Sequence, residues 1–109
     1  MKSACSHFLA VVFVLSSAQT VAAEDSAATD LLQESGCTKC HAVAREKVAP
    51  PFREIAAKYK GKPDAVDRLT KHITVANQVE VDGSKEDHGL IKTQDAAKIR
   101  NLVEWILSR

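Results

Sequence analysis

The sequence predicts an all-α domain of about four helices, and three features point to it. Apolar residues recur at helical spacing in four stretches of the chain, and glycine and proline stand at the ends of those stretches: Gly36, Pro50-Pro51, Gly61 and Pro63. The third feature is size. Once the first 23 residues are set aside as an address, 86 of the 109 residues remain, enough for one domain with a thin core that needs a staple.

The address is read from its parts. Lys2 gives a positive start, Phe8 to Leu15 is an apolar run, and Val21-Ala22-Ala23 ends in small residues before Glu24-Asp25, the pattern of a secretory signal peptide cleaved after Ala23. The apolar run is too short to span a bilayer. Residues 1–23 are therefore expected to be the signal and 24–109 the mature domain, exported to the periplasm without stable membrane insertion. Loss of Lys2 leaves fourteen basic residues against fourteen acidic ones, a balance that calls for no nucleic-acid or anionic-membrane partner. Cys5 leaves with the signal, so the mature chain keeps two cysteines, Cys37 and Cys40.

The helices follow in order. Ala28, Leu31 and Leu32 form one face of a first helix over 27–36, which Gly36 ends. Pro50-Pro51 sets an extended turn. Phe52, Ile55, Ala56 and Tyr59 share a face of a second helix, closed by Gly61. Pro63 opens a third, lined by Val66, Leu69, Ile73 and Ala76. Residues 77–92 show no sustained period and read as a long loop. Thr93 is the expected N-cap of a last helix whose stripe is Ile99, Leu102, Val103 and Ile106, with Trp105 as a packing residue beside it.

Between the first two helices lies Cys37-Thr38-Lys39-Cys40-His41. A C-x-x-C-H run reads as a site of covalent haem attachment. On a helical turn both thiols share a face and can add to the two vinyl groups on one porphyrin edge, while His41, at i+4 from Cys37, supplies the proximal iron ligand. Three other readings compete. A redox-active dithiol wants a βαβ context, and no β-rich run precedes Cys37. A zinc site of Cys37, Cys40 and His72 or His88 lacks a second closely spaced ligand pair. A structural disulfide leaves His41 without a role.

The run CTKCH, with Lys47-Val48-Ala49-Pro50-Pro51-Phe52, Ile55 to Gly61 and Val103 to Ser108, resembles the short bacterial class I cytochromes c over nearly the whole mature chain apart from 77–92. The resemblance implies the cytochrome c fold, with helices wrapped around one covalently attached haem c and the first and last helices crossing. It also implies that the Pro50 carbonyl accepts the second imidazole N–H of His41. The family normally brings a methionine in a Met-Pro segment to the distal face of the iron, shortly before the last helix. Here Met1 is the only methionine and leaves with the signal. Position and elimination favour His88 as the distal ligand. His72 borders the apolar side of its helix and reads as a helix-surface histidine, and Lys85, Lys92 and Asn77 are poorer candidates.

The expected function is that of an electron carrier rather than an enzyme. An iron ligated by His41 and His88 leaves no place for substrate, so the protein tunes its potential and passes single electrons to redox proteins by transient docking, as a monomer. The alternative is a haem with an open or labile distal site that binds or reacts with a small ligand such as oxygen, nitric oxide, carbon monoxide or peroxide.

Overall fold

A computed structural model describes residues 18–109. The expected signal segment lies mostly outside the described residues. Helix α1, Ala18–Glu34, starts upstream of the position at which cleavage was expected. Its inward face is the predicted one, with Ala28, Leu31 and Leu32 buried. It ends where Gly36 turns to φ 74°, a conformation that costs glycine nothing and most residues a good deal.

A single 3-10 turn, Cys37–Lys39, follows, and a bent connection leads to α2, Phe52–Tyr59, with Pro51 at its N-cap. Helix α3 is Ala65–Thr74 and buries Ala65, Leu69 and Ile73. Ala76, expected on its apolar face, lies beyond its end and is exposed. The final helix α4, Ala96–Leu107, packs on α1, α2 and α3. Leu102 and Val103, both 0% exposed, sit where these contacts converge, so the last helix is the centre of the core. Trp105 is buried as expected and meets Phe52 edge-on with 5.8 Å between ring centroids, an arrangement favoured by aromatic quadrupoles.

Two further elements differ from the sequence expectation. Residues 77–92 are not one long loop: β1, Gln78–Val81, and β2, Ser84–Asp87, form an antiparallel hairpin in which Val79 faces Glu86 and Val81 faces Ser84. Asp82 and Gly83 make its turn with φ 49° and 80°, the left-handed pair of a type I′ turn, whose twist matches that of the strands. The N-cap of α4 is Asp95 rather than Thr93. The Asp95 carboxylate accepts the Ala97 and Lys98 N–H groups at 2.9 and 3.1 Å, while the Thr93 hydroxyl accepts only the Asp95 N–H at 3.2 Å. An ionised carboxylate there also faces the positive end of the helix dipole.

Candidate haem site

The 3-10 turn places the two cysteines. With three residues per turn, positions i and i+3 eclipse, so Cys37 and Cys40 stand in line. The Cys40 and His41 N–H groups both donate to the Cys37 carbonyl, at 3.2 and 2.9 Å. Both thiols are free. Burial pushes the Cys37 thiol above its ordinary pKa, and the neighbouring Cys40 adds to the rise against a backbone hydrogen bond that lowers it. A redox-active thiol is activated by the opposite shift, toward thiolate. Among the described residues, no three histidine, cysteine or acidic side chains converge on one point, so the zinc set considered from the sequence is not assembled there.

The loop after the motif fixes His41. Phe52 and Arg53 donate backbone N–H groups to the carbonyls of Ala42 and Val43 at 2.9 and 3.0 Å, and Ala49 donates to Cys40 at 3.1 Å. This folding back carries Pro50 under the imidazole, whose Nδ1–H donates to the Pro50 carbonyl at 2.7 Å. The ring also stacks on Phe52, with centroids 5.2 Å apart and planes 18° from parallel. With Nδ1 committed as a donor, Nε2 carries the free lone pair, the state a metal ligand requires.

His41 borders a cavity of about 220 Å³, open on one side, that Cys37 and Cys40 also line, with Leu32, Ile55, Leu69, Ile73, Leu102 and Ile106 as its apolar wall. A wall of this chemistry, with two thiols and an imidazole at its mouth, suits a large flat apolar group attached through sulfur and held through a metal.

Opposite His41 the structure brings up two histidines. His88 follows β2, and its backbone N–H donates to the Asn77 carbonyl at 2.9 Å, one rung beyond the hairpin ladder. The His41 and His88 ring centroids are 6.3 Å apart with planes at 61°. His88 Nδ1 is buried without a hydrogen-bond partner. His72 also lines the cavity, 4.2 Å from His88 between ring centroids. Its outer side is exposed, as a helix-surface histidine would be, but its place beside His88 was not foreseen from the sequence. Burial lowers the pKa of both rings. For His72 the charges of His41 and Lys58 add to this, and for His88 those of His72 and His41, against a weaker backbone interaction with Gly89. Lys85 is exposed on the hairpin and Lys92 lies beyond it, and neither lines the cavity.

Paired thiols before a proximal histidine, at the mouth of an apolar cleft wrapped by four helices, define a c-type cytochrome. The chain belongs to the cytochrome c family: the family model described as Cytochrome c matches residues 26–109. Among its relatives, cytochrome c-551 of Allochromatium vinosum is 40% identical over 93 residues, covering 83% of this chain and 94% of that protein. Cytochrome c-552 of Hydrogenobacter thermophilus is 33% identical over 81 residues, covering 72% and 76%. Among solved structures, the class 1 cytochrome MtoD of Sideroxydans lithotrophicus superposes with a TM-score of 0.73 at 41% identity, over 76% of this chain and 92% of that one. Cytochrome c552 of Nitrosomonas europaea gives 0.57 at 29%, over 73% and 96%. This is a short class I cytochrome c, a haem electron carrier with one covalently attached haem c, and carriers of this kind dock with redox partners.

Proposed function

We propose that Cys37 and Cys40 would hold a haem through thioethers and that the imidazoles of His41 and His88 would ligate its iron, making the chain an exported carrier of single electrons. The haem supplies the iron that is oxidised and reduced, and the protein supplies its ligands, its dry surroundings and the edge at which partners dock.

The observation that carries this reading is the spacing of the two rings. Two metal–imidazole bonds of roughly 2 Å, plus about 1.1 Å from each nitrogen to its ring centre, sum to about 6.3 Å, the span within which two imidazoles could ligate one metal. The His41 and His88 centroids are 6.3 Å apart. Neither a methionine nor a further cysteine remains in residues 24–109 to compete for the iron. A histidine already at ligating distance speaks against an open distal site. Exchanging thioether sulfur for imidazole lowers the potential relative to methionine-ligated relatives.

We take the chain to be cleaved after Ala23 and exported to the periplasm. Helix α4 meets the first residues of the expected mature chain: Asn101 Nδ2 donates to the Glu24 carbonyl at 2.9 Å, and the Arg109 guanidinium lies 3.8 Å from the Asp25 carboxylate. Among the described residues, no helix is long and apolar enough to cross a membrane. We take the mature carrier to be a monomer that meets its partners transiently.

The test is His88→Ala in the haem-loaded protein. The variant should pass from a low-spin to a high-spin spectrum and bind carbon monoxide rapidly. A spectrum unchanged from the wild type refutes the assignment of His88.

A further inference from the structure

The two facing imidazoles are oriented by different means. The plane of His41 is set twice, by the 2.7 Å bond from Nδ1 to the Pro50 carbonyl and by the stack on Phe52. The His88 ring has no such bond, since its Nδ1 is buried and unpartnered. What meets it is the ring of His72, with centroids 4.2 Å apart and planes tilted by 49°. A hydrogen bond between imidazoles, with about 2.9 Å between nitrogens and about 1.1 Å to each ring centre, would hold the centroids about 5 Å apart. The observed distance is shorter, so the two rings are in direct packing contact at a tilt rather than joined by a hydrogen bond.

The contact is built by the backbone. His72 stands near the end of α3, and Asn77 lies between it and His88 in the chain. The Asn77 side chain donates to the carbonyls of His72 and Val75 at 2.8 and 2.7 Å, while its own carbonyl accepts the His88 N–H at 2.9 Å. One residue thus ties both imidazole-bearing backbones together.

We propose that His72 is a positioning residue for the distal ligand: its ring packs against His88 and holds that ring turned across the plane of His41, without itself binding the iron. The proposal rests on the reading of His88 as a ligand. Its consequence is electronic. Imidazoles with parallel planes donate into the same iron d orbital and split it from its partner, whereas crossed planes donate into different orbitals and leave the pair nearly degenerate. The observed angle of 61° lies toward the crossed arrangement. Groups that orient a ligand in this way tune the metal without touching it.

The test uses the oxidised, haem-loaded protein, with electron paramagnetic resonance to read the ring angle and optical spectra to read the spin state. The wild type should show the single high-g feature of crossed imidazoles. His72→Ala should stay low-spin while that feature moves toward a three-line rhombic spectrum. His72→Phe, which restores a flat ring without nitrogen, should return it. If His72→Ala does not mature, His72→Leu gives the same comparison, because it fills the volume without presenting a flat face. An unchanged resonance in the Ala or Leu variant overturns the proposal. So does rescue by His72→Gln but not by Phe, which would assign a hydrogen bond to His72. His88→Ala separates the underlying reading. Should it remain low-spin and become high-spin only with His72→Ala added, His72 is itself a ligand and both the proposal and the His88 assignment fall.

Discussion

Asn77→Ala should loosen the distal side of the haem without altering either proposed ligand. The substitution removes the two bonds from the side chain to the carbonyls of His72 and Val75 and leaves the backbone bond from His88 to residue 77 in place. Both lost bonds are exposed, so water replaces them, and each falls at the low end of the roughly 0.5–1.5 kcal/mol that a net hydrogen bond contributes. Their sum is about 1–1.5 kcal/mol, lost only when the end of the hairpin is attached to α3. A change of that size raises the population with His88 detached by about five- to twelvefold. The assay is carbon monoxide binding to the reduced protein at saturating gas, where the observed rate equals the rate at which the distal ligand leaves. That rate should rise by about the same factor, provided the bonds are already broken in the transition state for detachment. Gln78→Ala, which removes a 3.3 Å bond to Asp87 on the neighbouring rung, should change it far less. An unaltered rate in Asn77→Ala, or equal acceleration in Gln78→Ala, would show that the hairpin does not open through this residue.

Two further outcomes are expected. Asp95→Ala removes the cap of α4 at a cost of about 1 kcal/mol, read as a fall of about 4–8 °C in the melting temperature of a domain this size, whereas Thr93→Ala should cost less because its hydroxyl accepts one weaker bond. Acid should weaken the packing of His72 and His88: their pKa values are lowered from 6.5, chiefly by burial, so the unfolded or unpacked rings take up protons before the packed ones do. The stability they contribute is full above about pH 6.5 and is lost as pH falls through the lowered values. A pH titration followed by visible spectrum and by melting temperature checks this, and a spectrum and melting temperature both unchanged on acidification would contradict it.

The parts legible in the sequence were local. Helical spacing marked the buried residues of α1, α2 and α4, and most of those of α3, because an amphipathic stripe is written within a few turns. The C-x-x-C-H run declared its chemistry within five residues, and the resemblance built on it supplied the role of the Pro50 carbonyl. The hairpin was legible only in half. Val79-Glu80-Val81 alternates and Asp82-Gly83 is a hairpin signal, but Ser84–Asp87 is polar and wholly exposed, so the second strand carries no apolar pattern. Thr93 displaced Asp95 as the expected cap because both residue types suit the position. The meeting of His72 with His88 was hidden for a different reason: sixteen residues separate them, and only the hairpin, with Asn77 at its base, folds one back on the other.

That hairpin also bears on how His88, the proposed distal ligand, can serve where the resemblance implies a methionine. Methionine reaches its target through three rotatable bonds and tolerates a loosely placed backbone. Histidine has two side-chain torsions, so its backbone must be set more closely. In a strand, alternate residues face opposite ways, and a slip of one residue would turn every side chain over. Val79 and Val81 are half-buried toward the cavity, Glu86 pairs with Val79, and His88, two residues on, falls on the same side. The register that aims His88 inward is fixed at one end by the left-handed turn at Asp82-Gly83 and at the other by Asn77. The shorter reach of the proposed imidazole ligand is thus matched by the more rigid support that the hairpin gives it.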